Sequence, residues 1–342
     1  MTNFPWKNLH LKNFKSSDDA NLFYYKRCAT AKNKPLGTLL ILCGWSQGPN
    51  NWSPVLLTNT HVKENYEVYV LVMRGYRNIE DNFNNNVSRY AKDVVEFIKS
   101  KKLKNITALG HEMGCAVFCD IVSLYGEKYF DSYVFVDNSL QVIQNSNWSD
   151  TDKKDNGCFF TVYPFFDFYI TCAKSASDSA QQRRSFEEQC FTSEFIAANP
   201  DIFIKIKSGT LNYNYKVANE ILFDHVFNNY SQILKKGIKK PALLIGGKVS
   251  IVPYQTMANQ SQFFELPTIK IFEENEGGSH SMYIENYELF NTTLNDFLKS
   301  KNSNIKNIPK KYSGILKSAV VSSVNSIAKS IFPNDPLVNL KL

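Results

Sequence analysis

Over its first 140 residues the chain alternates short, continuous apolar runs with stretches of helical spacing. Residues 21–28 are rich in aromatics, while 38–43 and 68–73 are continuously apolar and lead into Gly44 and Arg74-Gly75. Runs of this length, bounded by glycine, predict buried strands. Residues 88–99 place Val94, Val95, Phe97 and Ile98 among Asp93, Glu96 and Lys99, which predicts a helix. The pattern then predicts a strand over 105–109, a helix over 113–125 and a strand over 133–136 that ends at Asp137. Strands alternating with helices imply a mostly parallel sheet built of right-handed crossovers.

Residues 140–240 break this rhythm. They are rich in Phe, Tyr, Asn, Ser and Lys, and their spacing predicts helices at 185–197, 199–207 and 215–228. They read as a helical cap inserted over the C-terminal edge of the sheet. The strand pattern resumes at 242–245 and 268–272, and 284–298 predicts a closing helix. The expected organisation is an α/β core of residues 1–139 and 241–299, a cap at 140–240 and an appendage at 300–342. In the appendage a polar linker leads to a predicted helix at 314–332. Its Leu316, Val320, Val324, Ile327 and Ile331 make an apolar stripe at spacings of three and four. Such a stripe docks on its own domain or on a twin subunit, and a homodimer through the cap or this helix is one expected assembly.

Composition narrows the class. With 43% hydrophobic and 14% aromatic residues, the 342-residue chain can bury a sizeable core and is not a disordered chain. The net charge of +7 is modest, and much of it lies in tail lysines from Lys299 to Lys317. No nucleic-acid module accompanies it, so no nucleic-acid partner is expected. No apolar run has membrane-spanning length, and the first residues lack the apolar stretch of a signal peptide. Seven cysteines without a C-x-x-C pair read as reduced packing residues. A cytoplasmic protein is expected, although Leu340-Lys341-Leu342 is a weak match to a peroxisomal address. Neither a metal nor a cofactor is expected.

The most informative segment runs from Leu103 to Ala116. An apolar strand enters Gly110-His111-Glu112-Met113-Gly114 and an apolar helix leaves it. This is the form of the nucleophile elbow, G-x-S-x-G, with glutamate in place of serine. Upstream, the run 39–44 continues as Trp45-Ser46-Gln47-Gly48. Far downstream, Gly278-Ser279-His280 places one of only five histidines after a strand and before a helix. In this combination, over residues 20–300, the chain resembles the α/β-hydrolase superfamily.

The resemblance implies an α/β-hydrolase fold and assigns roles to matching positions. Glu112 stands at the nucleophile position and His280 at the general base. The backbone N–H groups of Trp45 and Met113 would form the oxyanion hole. Arg74-Gly75-Tyr76 resembles a family turn whose leading Asp is here Val72. The acid is commonly placed after the strand that follows the cap, but 246–253 holds no carboxylate. Some members place it after the strand before the cap, where Asp137 lies, so Asp137 is the expected partner of His280. A small, largely apolar or aromatic substrate of the ester, lactone or epoxide class is implied, contacted by Trp45, His111, Tyr163 and Tyr169. Plainer roles remain open: Asp137 suits a strand-end turn, His280 a surface loop, and Glu112 a helix start.

Three chemistries follow from a glutamate at the elbow. As a carboxylate nucleophile it would act as the elbow Asp of epoxide hydrolases and haloalkane dehalogenases does, though its extra methylene shifts the attacking oxygen by about 1 Å. Alternatively the His280/Asp137 dyad acts alone as a base, as in cofactor-independent dioxygenases and lyases of this superfamily. Or the nucleophile has been lost, leaving a binding protein or a Ser-to-Glu variant of an esterase, in which a buried Glu112 pairs with His280.

Overall fold

The computed structural model describes residues 4–77, 79 and 85–302. In chain order the elements are β1 Leu11–Lys15, β2 Asn21–Arg27, β3 Gly37–Leu42, α1 Ser53–Thr58, α2 Thr60–Asn65, β4 Tyr66–Val72, α3 Val87–Lys101, β5 Ile106–His111, α4 Met113–Tyr125 and β6 Ser132–Val136. A helical insertion follows, with α5 Asp150–Asn156, α6 Val162–Lys174, α7 Ala176–Gln189, α8 Ser193–Ala198, α9 Pro200–Thr210, α10 Tyr215–Phe227 and α11 Tyr230–Leu234. The sheet resumes with β7 Ala242–Gly247, α12 Gln255–Ser261, β8 Pro267–Phe272, α13 Met282–Glu285 and α14 Tyr287–Asn302.

The eight strands lie in the order β1-β2-β4-β3-β5-β6-β7-β8. β1 with β2 and β2 with β4 pair antiparallel, and every other neighbour pairs parallel. Every residue of β3, β5, β6 and β7 is buried, as expected of strands covered on both faces. That burial is why their runs are continuously apolar. β1 was not legible: Leu-Lys-Asn-Phe-Lys is an edge strand with mostly exposed residues.

The predicted helix at 185–197 is two helices. α7 ends at Gln189, and the Thr192 hydroxyl starts α8 by accepting the Phe195 N–H. α6 was also missed. Its Pro164 sits in the first turn, where a missing N–H costs nothing, so the proline marks a start rather than a break.

The chain divides into two compact units, Met1–Asn295 and Asp296–Leu342. The predicted linker, the helix at 314–332 and the terminal Leu-Lys-Leu lie outside the described residues. Among the described residues, no helix is long and apolar enough to cross a membrane. All seven cysteines are free, and burial pushes the Cys43 thiol up to about 12, as befits a core residue.

Two buried contacts fix the insertion on the sheet. Arg74, after β4, is held by Asp93 (2.6 Å) and Asp18 (2.8 Å), and the next carbonyl, of Gly75, accepts the Asn214 N–H at the head of α10 (2.7 Å). A Cβ at Gly75 would meet Val217 at 2.8 Å. The Trp45 indole donates to the Ala218 carbonyl of α10 (2.7 Å).

The elbow depends on close approach. A Cβ at Gly114 would lie 2.5 Å from the Leu42 carbonyl oxygen, and one at Gly110 would lie 2.6 Å from the Cys115 nitrogen. Both obstacles are backbone, which cannot rotate aside. Gly114→Ala should therefore lower the unfolding free energy by about 1–3 kcal/mol in denaturant titration. An unchanged midpoint would show that α4 can shift away from β3 at no cost.

Candidate active site

The register of the parallel strands brings three loops to one edge of the sheet. Leu42 pairs with Gly110, His111 with Val136, and Val136 with Ile245. Glu112 therefore emerges beside the turn after β3 on one side and Asp137 on the other. Its backbone is strained, at φ +49° and ψ −116°, and its N–H is fixed by the Val136 carbonyl at 3.0 Å. Asp137 is also in the left-handed region, at φ +50°, with its N–H on the Ile245 carbonyl at 2.7 Å.

The Glu112 carboxylate is buried, with 7% of the residue exposed, and both its oxygens are met. Oε2 accepts the Trp45 N–H at 2.6 Å. Oε1 lies 3.1 Å from His225 Nε2 on α10, and His225 Nδ1 lies 3.0 Å from the Tyr230 hydroxyl. No hydrogen bond joins the Met113 N–H to this carboxylate among the described residues. None joins Glu112 to His280 either, so the expected Glu112–His280 pair is replaced by Glu112–His225.

His280 is brought to Asp137, with Nδ1 at 2.6 Å from Oδ2. The Ser250 hydroxyl donates to the same oxygen. Ser250 belongs to the 246–253 turn, where no carboxylate occurs, so that turn reaches the acid through a hydroxyl. Behind the dyad, His111 Nε2 donates to the His280 carbonyl (2.9 Å), and its Nδ1 lies 2.8 Å from the Gln47 carboxamide. Gln47 in turn accepts the Gly44 N–H at 3.0 Å.

The electrostatics follow from burial and neighbours. Burial opposes the charged form of Glu112, but His225, the Trp45 N–H and His280 together outweigh it and hold the carboxyl at about 2. Burial also works against a charged His280, yet Asp137, Glu112 and Glu187 raise it above its ordinary value. For Asp137 burial is the largest influence and pushes it up, while His280 and Ser250 pull the other way. Burial and the nearby His280 push His111 down to about 3, so its ring is neutral.

The expected site residues are not all placed alike. Glu112, His280, Asp137 and the Trp45 N–H come together. His111 is fully buried, and its Nε2 donates to the His280 carbonyl, so it supports the His280 loop. Tyr163 departs from the expected placement: it is 88% exposed at the start of α6. Tyr169 is half-buried, with its ring 5.9 Å from Phe165 and 5.1 Å from Phe223. The Trp45 ring packs with Phe168 (6.0 Å) and Phe186 (5.9 Å).

Two residues escaped the sequence. His225 lies in the last turn of α10 within an apolar pattern, and only the scarcity of histidines could have singled it out. Glu187 sits near the end of α7 and is 3% exposed, and its Oε1 has no hydrogen-bond partner among the described residues. Burial, against the pull of His280 and with the push of Glu112, raises it to about 7.

No family model and no curated protein matches this sequence. Solved structures do. A bromoperoxidase from Bacillus anthracis is 15% identical with a TM-score of 0.72, covering 85% of this chain and 100% of its own. An esterase from Exiguobacterium antarcticum is 15% identical with a TM-score of 0.69, covering 84% and 99%. An enol-lactonase from Burkholderia xenovorans is 14% identical with a TM-score of 0.69, covering 84% and 100%. The chain therefore has the α/β-hydrolase fold, a mostly parallel eight-stranded sheet with flanking helices, as the resemblance implied. At this identity the likeness is one of fold, and chemistry must be argued from the site.

Glu187 gives a pH signature. Its folded value of about 7 lies above the ordinary 4.5, so the stability it allows is fully present below 4.5 and is lost as pH rises through 7. Between those limits the parent should lose roughly 3 kcal/mol that Glu187→Gln does not lose. Parallel stability curves for the two chains in denaturant titrations from pH 4.5 to 8 would show that Glu187 ionises at no cost.

Proposed function

We propose that this chain is a hydrolase that attacks an electrophilic saturated carbon through Glu112 and passes through a covalent glutamyl ester. The observation that carries the reading is the seat of Glu112 Oε2 on the Trp45 N–H at 2.6 Å. In acyl transfer by an elbow serine that donor serves an oxygen of the substrate. Here the enzyme's own carboxylate fills the place, which leaves no seat for an acyl oxyanion. The same placement suits a carboxylate nucleophile. Oε1 attacks carbon, Oε2 becomes the ester carbonyl, and the N–H then faces the oxygen on which charge develops when water adds at Cδ.

The neighbouring groups support this order of events. Glu112 is ionised at neutral pH, as an attacking carboxylate must be. His225 holds Oε1 and so orients the carboxylate. Asp137 holds Nδ1 of His280, which leaves Nε2 to take a proton from water. Glu112 is one of the charges that raise His280. Esterification removes that charge, so the imidazole is freed to act as a base when the ester needs water. The Trp45, Phe168 and Phe186 rings beside the loop favour a small, largely apolar or aromatic substrate.

The oxygen balance supplies the test. Water attacks Cδ of the ester, so the hydroxyl oxygen of the first product comes from Glu112 and not from solvent. In a single turnover of an epoxide or alkyl halide in 18O-labelled water, the product should emerge unlabelled and the label should appear in the Glu112 peptide. His280→Gln should accumulate an adduct of substrate mass on that peptide. Glu112→Gln should reduce turnover by more than about a thousandfold. Full labelling of the first product, with turnover retained in Glu112→Gln, would replace this reading with direct base catalysis by His280 and Asp137.

A further inference from the structure

Besides its partner Asp137, two buried carboxyl groups share the field of His280, one at the end of β5 and one on α7. They are treated oppositely. Glu112 has a donor for each oxygen, Trp45 N–H for Oε2 and His225 for Oε1. Glu187 is equally buried, and its Oε1 has no partner among the described residues. A buried carboxylate oxygen without a donor is costly, and the group avoids the cost by keeping its proton. It is then a carboxylic acid with a hydroxyl to donate.

Its position is held rather than incidental. One turn of chain further on, the Cys190 carbonyl accepts the Ser281 N–H beside His280 at 3.0 Å. Thr192 donates its N–H (2.7 Å) and hydroxyl (2.8 Å) to the Glu285 carboxylate on α13. The end of α7 is thus clamped to the loop that carries His280, and Glu187 acts on His280 and is acted on by Glu112. The preceding residue, Phe186, contributes the aromatic wall against Trp45.

We propose that Glu187 is the general acid of this site, giving its proton to the oxygen released as Glu112 attacks, which makes an apolar or aryl epoxide the substrate class. The proposal rests on the Glu112 nucleophile reading. Glu112 Oε1 forms a bond to a ring carbon while the carbon–oxygen bond of the epoxide breaks. The electron pair goes to the ring oxygen, which takes the Glu187 proton, leaving a hydroxyalkyl ester and a Glu187 carboxylate. Water then adds at Cδ and gives a proton to His280. The tetrahedral centre expels the diol oxygen, which takes that proton back. Glu112 is left as the acid, and its proton returns to Glu187 directly or through solvent. The net change is epoxide plus water to diol. The environments separate the two carboxyls as the roles require, Glu112 at about 2 and Glu187 at about 7.

A halide leaves as an anion and needs no proton, which separates the acid from the nucleophile. The experiment measures the rate of Glu112 alkylation by styrene oxide and by benzyl bromide, read by peptide mass in a His280→Gln chain where the ester accumulates. Adding Glu187→Gln should lower the ratio of the epoxide rate to the bromide rate by about a hundredfold. With Glu187 present, the epoxide rate should fall at alkaline pH while the bromide rate does not, and this needs no Glu187 variant. An unchanged ratio, or a pH profile shared by both probes, overturns the acid while leaving the nucleophile standing. No adduct from either probe overturns the nucleophile reading and the acid with it.

Discussion

A carboxylate held almost out of reach of water must find donors or give up its charge, and Glu112 finds both kinds of partner. A backbone N–H meets one oxygen and an imidazole the other. The strained turn that carries Glu112 sets this up, because its positive φ lifts the side chain off the sheet toward the loop after β3. That loop's conformation is itself held by Gln47, whose side chain takes the Gly44 N–H and leaves the next N–H free for Glu112. The remaining site follows from this one ionised group. It contributes to the raised affinity of His280 for a proton and adds to the cost of ionising Glu187. A neutral residue in its place would lower the proton affinity of both neighbours.

The sheet alone does not complete the arrangement. Trp45, Asp137 and His280 lie on strand-end loops, but His225 and Glu187 arrive on α10 and α7. Their placement relies on buried polar contacts between the insertion and the strand-end loops. The Trp45 indole holds α10, and Arg183 on α7 donates to the Ser46 hydroxyl (3.1 Å) and the Thr210 carbonyl (2.8 Å). Buried side-chain hydrogen bonds of this kind are expensive to break, which keeps two helices at fixed positions over the elbow. On the proposed chemistry the division has a consequence. The groups that hydrolyse the ester belong to the sheet, and those that shape its formation belong to the insertion.

Much of this was legible in sequence wherever local chemistry and burial agree. The central strands read as apolar runs because both their faces are covered, and α4 was read to its observed bounds, Met113–Tyr125, because the elbow fixes its start. Asp137 could be chosen because a strand end and a missing carboxylate at 246–253 pointed to the same place. The contact of Ser250 with that acid is a tertiary event with no local trace. His225 was hidden for a related reason: a histidine on the buried face of a helix has the spacing of a core residue. Glu187 was hidden more deeply, since Glu-Glu-Gln near a helix end reads as a solvated face. Tyr163 erred in the opposite direction, because aromatic content in an insertion does not say which face of α6 is turned inward.

The replacement of serine by glutamate at such a turn could be read as loss, but the surroundings argue for accommodation. An unsupported carboxyl dropped into a serine site would be expected to protonate, or to seize the nearest histidine and disable it. Glu112 does neither: His280 keeps its bond to Asp137, and a separate histidine with its own tyrosine partner serves the carboxylate. The extra methylene over aspartate is taken up by an oxygen that reaches the Trp45 N–H. A second buried carboxyl nearby would be a burden on a merely defunct pocket, because the fold loses stability as pH rises from the carboxyl's ordinary 4.5 to about 7. On the proposed chemistry the same burden becomes useful, because a proton is stored for a carboxylate that opens a ring whose oxygen must leave as an alcohol.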